Sequence, residues 1–131
     1  MGTSKETLST TILFSVVIPT FNRAGLLAGA LDSLRQQTLD PRAFEIIVVD
    51  NGSSDATREM VENLQASSTC QAIRYLYEPE PGGGNARRAG AASARGMWIA
   101  YMDDDARAAP GWLQTAAEIL RDRHDLSGMG G

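Results

Sequence analysis

Short apolar runs alternate along this chain with longer segments in which apolar residues recur every three or four positions. The first pattern is typical of strands buried in a sheet, and the second of helices with one buried face. The predicted strands are residues 14–19, 44–49, 73–77 and 98–102. The predicted helices are a segment capped by Asn22 that ends near residue 37, a segment capped by Ser54, residues 86–95 and residues 110–124.

Strands that alternate with helices in this way predict an α/β fold, here a Rossmann-like, doubly wound, mainly parallel sheet with right-handed crossovers. The run at residues 98–102 is continuously apolar, which predicts an inner strand of that sheet. The predicted buried face of the first helix consists of Leu26, Leu27, Ala30, Leu31 and Leu34.

Three carboxylates, Asp103, Asp104 and Asp105, directly follow the fourth predicted strand. Parallel sheets bind ligands at the carboxyl ends of their strands. If the segment stays extended, Asp103 and Asp105 point the same way and repel each other by roughly 1–3 kcal/mol, so a bound cation or a proton on one of them is expected. Hard oxygen ligands favour Mg²⁺ or Mn²⁺, which usually bind together with substrate phosphates. The pattern therefore predicts a metal–diphosphate site.

A structural alternative is that these acids form a turn or cap the next helix. Pro110 is typical of the first turn of a helix, so the cap of that helix is expected near Ala109, too far along the chain for the acids to supply it. A third acid also adds repulsion without adding a cap. Both observations favour the metal site.

Polar residues also follow the first two predicted strands, namely Thr20 and Asp50. A parallel sheet brings the ends of these strands and the three acids to one edge. Asp50 begins an Asp-Asn-Gly sequence that is common in turns, and this structural role is one interpretation. The other is a hydrogen bond from Asp50 to a nucleobase N–H or a ribose hydroxyl.

Three glycines at residues 82–84 precede the third predicted helix, where they form either a phosphate cradle or a flexible turn. They do not fit the G-x-G-x-x-G fingerprint of dinucleotide-binding proteins, because position 87 is arginine and the loop follows the third strand. Arg87 and Arg88 gain nothing from the dipole at the start of a helix. An anionic partner is therefore expected, either the nearby carboxylates or a ligand.

Composition excludes several classes of protein. The 131 residues predict one domain, residues 12–131, after a polar tail at residues 1–11. A net charge of −4 argues against nucleic-acid binding, and one histidine argues against a histidine triad or a multi-histidine zinc site. The single cysteine fits a reducing compartment, and the tail lacks the apolar core of a secretory signal. We therefore expect a cytoplasmic protein, with any membrane attachment supplied by other parts of a full-length protein.

Several sequence motifs resemble those of the family 2 glycosyltransferases of the GT-A fold. The motifs are SVVIPTFNR at residues 15–23, IVVDNGSSD at 47–55, NARRAG at 85–90, MDDD at 102–105 and PGWL at 110–113. The resemblance covers residues 14–131 and corresponds to the nucleotide-sugar-binding half of that fold. It implies an inverting transfer of a sugar from a nucleotide diphosphate donor, usually UDP-linked, to the hydroxyl of a glycan, lipid or polysaccharide acceptor.

The same resemblance implies a role for each candidate site residue. Thr20 and Asp50 would contact the nucleobase, Arg87 would lie over the nucleotide, and Asp103 would contact the ribose. Asp105 would hold the Mn²⁺ or Mg²⁺ that bridges the diphosphate, although the third acid leaves open whether Asp104 or Asp105 is the direct ligand.

The resemblance also sets an expectation about completeness. The general base of the family is a carboxylate of the C-terminal half, which nothing here matches, so we expect a truncated chain whose base lies beyond Gly131. A non-catalytic nucleotide-sugar or metal-binding module is one alternative function, and a nucleotidyltransferase is another. An exposed terminal strand of the sheet further predicts self-pairing into a homo-oligomer.

Overall fold

The computed structural model of the chain describes residues 11–68 and 71–122. The strands are β1 (Phe14–Thr20), β2 (Phe44–Asp50), β3 (Ala72–Tyr77) and β4 (Trp98–Tyr101). The helices are α1 (Ala24–Arg35), α2 (Thr57–Ser67), α3 (Gly83–Ser93) and α4 (Trp112–Asp122), with a short 3-10 helix at Pro41–Ala43. All four predicted strands are confirmed, with ends that differ by one residue at most.

The four strands form one parallel sheet in the order β3-β2-β1-β4. Thr20 lies opposite Asp50, and Asp50 lies opposite Tyr77, so the carboxyl ends of β1, β2 and β3 reach the same edge. The chain builds outward from β1 to β3 and then crosses to the opposite side of β1 to form β4. The gap between β1 and β4 is therefore the topological switch point, where sheets of this type bind ligands.

Helices cover both faces of the sheet, which confirms the predicted α/β class. On one face, alternate residues of β1 and β2 pack with α1, α2 and α4 in the main core, which includes Val16, Ile46, Leu31 and Leu113. On the other face, α3 packs on β1 and β2. No helix within the described residues is both long and apolar enough to cross a membrane.

The prediction that the fourth strand is an inner strand is wrong for the described part of the chain, where β4 pairs with β1 alone. Ile99 and Tyr101 are 41% and 47% exposed, whereas Trp98 and Ala100 pack against the main core. On the face of the sheet that carries Ile99 and Tyr101, α3 packs over β1 and β2, and the apolar run alone does not reveal this. The self-pairing expected of an exposed edge stays a prediction.

Several boundary predictions are also wrong. Helix α3 begins three residues early because the glycines form its first turn, with the Ala86 N–H donating to the Gly82 carbonyl. Helix α4 begins at Trp112, and the Gln37 side chain accepts from the Leu113 N–H at 3.0 Å. Leu26, expected to be buried, is 50% exposed. The single cysteine, Cys70, and the single histidine, His124, lie outside the described residues.

A buried polar cluster closes the opposite, amino-terminal edge of the sheet. Glu45 is fully buried in β2, and its carboxylate accepts from Ser15 Oγ at 2.6 Å, the Arg95 N–H at 2.8 Å and Arg74 Nη1 at 3.1 Å. Burial raises the pKa of Glu45, but these hydrogen bonds outweigh it and hold the pKa below its usual value. Arg74 also donates to Ser93 at the end of α3, so the cluster ties that helix to the sheet.

Candidate functional site

The end of β1 and the segment after β4 meet at the switch point. The Thr20 hydroxyl donates to Asp104 Oδ2 at 2.9 Å, and Arg23 Nη1 donates to Asp104 Oδ1 at 3.3 Å. Asp104 is only 7% exposed, so both its oxygens have partners in a largely dry setting. The prediction that Thr20 and the acids share one edge of the sheet agrees with this geometry.

The three acids do not continue the strand, as the sequence interpretation assumed. Strand β4 ends at Tyr101, and the Ala106 N–H donates to the Asp103 carbonyl at 3.1 Å, which closes a turn. Asp103 and Asp105 are exposed on either side of the buried Asp104. The extended geometry expected to align Asp103 with Asp105 is therefore wrong, and a turn presents the acids instead.

Arg23 supplies part of the charge compensation that was expected from a cation. Its Nη1 lies 3.3 Å from Asp104 Oδ1 and 3.7 Å from Asp105 Oδ2. Three carboxylates against one guanidinium still leave excess negative charge. Sequence reasoning missed Arg23 as a site residue, although its place in the loop after β1 was a usable signal.

A groove of about 380 Å³ opens beside this cluster. Its walls come from the loops after β1, β2 and β3 and from the turn after β4, namely Pro19, Thr20, Phe21, Arg23, Asn51, Pro81, Gly82, Gly83 and Asp104. A larger hollow of about 440 Å³ lies between α1 and α2, and its wall, which includes Asp32, Arg35 and Glu59, contains none of the predicted site residues. The smaller groove lies where the predicted site residues converge, and it is the candidate site.

Gly82 and Gly83 line the groove together with Arg23. Gly82 has a φ of 113°, a left-handed conformation that favours glycine, and it immediately precedes α3. The Arg87 guanidinium folds back over Gly83, where its Nη1 would be 3.3 Å from a Cβ. Arg88 instead donates to Asn85 within the same helix. Arg87 therefore lies against a glycine that lines the groove, whereas Arg88 forms a hydrogen bond within its own helix.

Asn51 connects two of the loops that line the groove. Its side-chain amide donates to the carbonyls of Glu78 at 3.0 Å and Glu80 at 2.7 Å, so the loop after β3 is tied to the loop after β2. Sequence reasoning treated Asn51 only as part of a turn. Its cross-loop role depends on the adjacency of β2 and β3.

Asp50 lies beneath the groove rather than in its wall. It is 1% exposed, and its carboxylate accepts from the Ser53 N–H at 2.8 Å and from the Tyr75 hydroxyl at 2.6 Å. Burial and the hydrogen bond to Asp50 raise the pKa of Tyr75 far above its ordinary value. The Arg58 guanidinium lies 5.4 Å from the centre of the Tyr75 ring. Asp50 therefore acts in the turn and orients the loop that carries Asn51.

The loops after β1 and β2 interlock through Asn22 and Asp55. Asn22 has a φ of 52°, and its side-chain oxygen accepts from the N–H groups of Ser54 and Asp55 at 2.7 and 3.3 Å. Asp55 accepts from the Ala24 N–H at 3.1 Å and from the Thr57 N–H at 3.0 Å. The hydrogen bond from the Thr57 side chain is the largest factor that lowers the pKa of Asp55.

This interlock corrects both predicted helix caps. Neither Asn22 nor Ser54 caps its own helix; Asp55 instead accepts from the first N–H groups of α1 and α2. The left-handed backbone at Asn22 turns its side chain away from α1 and toward the neighbouring loop. The backbone of Arg23 is held in place, since its carbonyl accepts from the Leu27 N–H at 2.8 Å.

The donor set at the groove suits a divalent cation that arrives with phosphates. No three His, Cys, Asp or Glu side chains converge on one point anywhere in the described ranges. Asp105 nevertheless offers a half-exposed hard oxygen ligand at the rim, with Asp103 exposed two residues away. Mg²⁺ and similar ions commonly bind through one or two carboxylates and take their other ligands from phosphates and water. The acids fit such an ion, not a cage built of protein ligands alone.

The chain is similar to proteins of one known family. The family model for glycosyl transferase family 2 matches residues 15–130. Validoxylamine A glucosyltransferase of Streptomyces hygroscopicus subsp. limoneus is 37% identical over 105 residues, which are 79% of this chain and 22% of that protein.

Two solved structures share the fold. The crystal structure of S. aureus TarS 1-349 in complex with UDP has a TM-score of 0.79 at 27% identity, over 86% of this chain and 33% of that one. The mannosyltransferase PcManGT from Pyrobaculum calidifontis, in complex with GDP-Man and Mn²⁺, has a TM-score of 0.78 at 28% identity, over 84% of this chain and 32% of that one. The chain thus spans about a fifth to a third of the proteins it matches.

Proposed function

The chain belongs to glycosyl transferase family 2, and we propose that it binds the nucleotide diphosphate sugar, a UDP-sugar, that serves as donor in an inverting transfer to an acceptor hydroxyl. The observation that carries this proposal is the hydrogen bond from Thr20 to Asp104, which brings a groove with acidic and basic groups to the switch point of the sheet. The TarS fragment with UDP and the mannosyltransferase with GDP-Man and Mn²⁺ support it as relatives of the same fold.

In this proposal the predicted residues serve different parts of the donor. Thr20 and Asp50 would contact the nucleobase, and Arg87 would lie over the nucleotide. Each Asp50 oxygen already accepts one hydrogen bond from the protein, which leaves one acceptor position on each for a nucleobase N–H. The Asp50 carboxylate is buried, so this role requires the loop after β2 to move.

The acids after β4 serve the ribose and the diphosphate. We assign Asp103 to the ribose, Asp104 to the positioning of the groove, and Asp105 to a divalent cation, Mn²⁺ or Mg²⁺. When bound, such a cation supplies Lewis-acid stabilisation of the departing nucleotide diphosphate. Asp105 fits that assignment better than Asp104, since both Asp104 oxygens are occupied by Thr20 and Arg23.

Inverting transfer sets one further requirement. The acceptor oxygen attacks the anomeric carbon on the face opposite the diphosphate, and a general base within hydrogen-bond reach removes the hydroxyl proton. In this proposal the base lies outside the described residues, and the described groove is responsible for donor binding.

Calorimetric titration with UDP, with and without Mn²⁺, tests the proposal. We expect binding that strengthens with Mn²⁺ in the wild-type protein and loses most of that metal dependence in Asp105→Asn. Asp32→Asn is the matched control, because Asp32 is an exposed aspartate on α1 that contacts Gln36 and lies away from the groove. No UDP binding by the wild type with Mn²⁺ present, or an unaltered metal dependence in Asp105→Asn, would contradict it.

A further inference from the structure

One guanidinium nitrogen in the groove serves two carboxylates. Arg23 Nη1 lies 3.3 Å from Asp104 and 3.7 Å from Asp105. In the part of the chain that the structure describes, these are the only ion pairs of the three acids after β4. Arg23 therefore compensates part of the negative charge of these acids.

The two sides of this contact differ in how firmly they are held. The Asp104 side chain is 9% exposed and is fixed by the Thr20 hydroxyl. The Arg23 side chain is 52% exposed, and Asp105 is 53% exposed. Ion pairs with this much exposure contribute little to stability, because water screens them and the long side chain loses entropy. The contact of Arg23 with Asp105 is thus the more easily broken of the two, while Asp104 stays in place through Thr20.

We propose that Arg23 is an exchangeable counter-ion of the acids, which a divalent cation displaces from Asp105 and which then binds the diphosphate of the donor. This inference rests on the proposed function and gives a role to Arg23, to which the sequence analysis assigned none. The metal and Arg23 compete for the Asp105 carboxylate in the free protein. Once the donor is bound, the metal and the guanidinium both face phosphate oxygens and no longer oppose each other.

The other wall of the groove supports an anionic ligand for the released guanidinium. The Arg87 guanidinium folds over Gly83, and both Gly83 and Arg23 line the groove. Arg87 makes no ion pair with any described acidic group. A diphosphate carries negative charge on both phosphates, and it is the part of the donor best able to contact two guanidinium groups.

The proposal predicts that Arg23→Gln changes the affinities for Mn²⁺ and for UDP in opposite directions. Arg23→Gln removes the competing charge, so Mn²⁺ alone should bind about 2- to 5-fold more tightly, as expected for the loss of an exposed ion pair. The same variant loses a charged contact to the diphosphate, so UDP at saturating Mn²⁺ should bind at least about 10-fold more weakly. A residue that merely supported the fold would weaken both.

Mn²⁺ binding is followed by electron paramagnetic resonance of the free ion, and UDP binding by calorimetry. Arg23→Lys keeps the charge and should restore both affinities to within about 3-fold of wild type, given its more flexible single ammonium. Arg35→Gln, at the exposed far end of α1, should change neither affinity.

An unchanged Mn²⁺ affinity in Arg23→Gln, including no detectable binding by either protein, overturns the inference. Shifts of the same sign also overturn it. If the wild-type protein binds UDP with Mn²⁺ but Arg23→Gln gives either of these results, only the inference is overturned and the proposed function stands. If the wild-type protein binds no UDP with Mn²⁺, both the proposed function and the inference are overturned.

Discussion

The Thr20 hydroxyl lies 2.9 Å from Asp104 Oδ2, although 84 residues separate the two along the chain. This hydrogen bond joins the end of β1 to the turn after β4 at the topological switch point of the sheet. Thr20 is 3% and Asp104 7% exposed, so the bond is formed largely out of water, where an unsatisfied partner is costly. It holds the central acid of the three in one place while both of its neighbours stay exposed.

Replacing Thr20 by valine removes that hydroxyl while keeping the shape of the side chain. We expect the free energy of unfolding to fall by about 2 kcal/mol, as for loss of a buried hydrogen bond to a charged acceptor. UDP affinity with Mn²⁺ should fall about 10-fold, because Asp104 loses its fixed position. Denaturant unfolding and calorimetry measure the two effects.

The control for this variant is Thr115→Val, which changes an exposed threonine on α4. Its stability and UDP affinity should match those of the wild type. A Thr20→Val protein with normal UDP affinity would show that the hydroxyl does not position the site.

Asn22 combines a left-handed backbone with two accepted hydrogen bonds, and two substitutions separate these contributions. Asn22→Gly tolerates the φ of 52° but loses the side-chain oxygen, so we expect a loss of about 1 kcal/mol. Asn22→Ala loses the oxygen and also strains the backbone, so we expect a total of about 2–3 kcal/mol. Denaturant unfolding of both variants measures the difference.

Ser54→Ala distinguishes this interlock from the cap that the sequence predicted. The Ser54 hydroxyl has only a long contact of 3.5 Å to Asn22, so its loss should change stability by less than about 0.5 kcal/mol. A true N-cap would cost about 1 kcal/mol instead. Equal stabilities of Asn22→Gly and Asn22→Ala would contradict a backbone role for Asn22.

Glu45 gives stability a pH dependence with a defined sign. Its pKa in the folded protein lies below the ordinary value of 4.5, so its contribution is present above that pH and is lost as pH falls through the lower, folded value. Glu45→Gln leaves Arg74 without its buried partner, and we expect a loss of about 3 kcal/mol at pH 7.

The pH profile of unfolding checks this assignment. The gap between wild type and Glu45→Gln should narrow as pH is lowered from about 5 toward 3, because the wild type then loses its carboxylate. Glu59→Gln, an exposed change in the first turn of α2, should run parallel to the wild type. A gap that stays constant over this range would show that the charge of Glu45 does not stabilise the fold.

The elements could be predicted because they depend on local pattern. The runs that form β1 and β2 are apolar and β-branched, and both strands lie where the sequence places them. The shared edge of Thr20, Asp50 and the acids also followed from the sequence, since parallel strands bring their ends together. The prediction of parallel strands was sufficient to bring these residues to one edge of the sheet.

The contacts within the site could not be predicted in the same way. Arg23 contacts an acid 81 residues away. Glu45 lies in an apolar run, and its partners Ser15 and Arg74 come from other strands, so the run alone does not reveal its hydrogen bonds. Asn22 looks like a helix cap until its left-handed backbone is known. These contacts depend on which strands are neighbours and on single backbone angles, and one sequence does not determine either.

At Gly90, α3 packs closely on the sheet. A Cβ there would lie 2.4 Å from Val17 Cγ1 and 3.2 Å from Val49 Cγ2, both buried side chains of the sheet. Alanine normally favours a helix over glycine by about 1 kcal/mol, yet we expect Gly90→Ala to lower the free energy of unfolding by about 1–3 kcal/mol. Gly84→Ala is the matched control in the same helix, because its Cβ would meet only the Arg88 side chain at 3.8 Å. Denaturant unfolding should find that control neutral or slightly stabilised, and a stabilised Gly90→Ala would show that α3 does not pack this closely on β1 and β2.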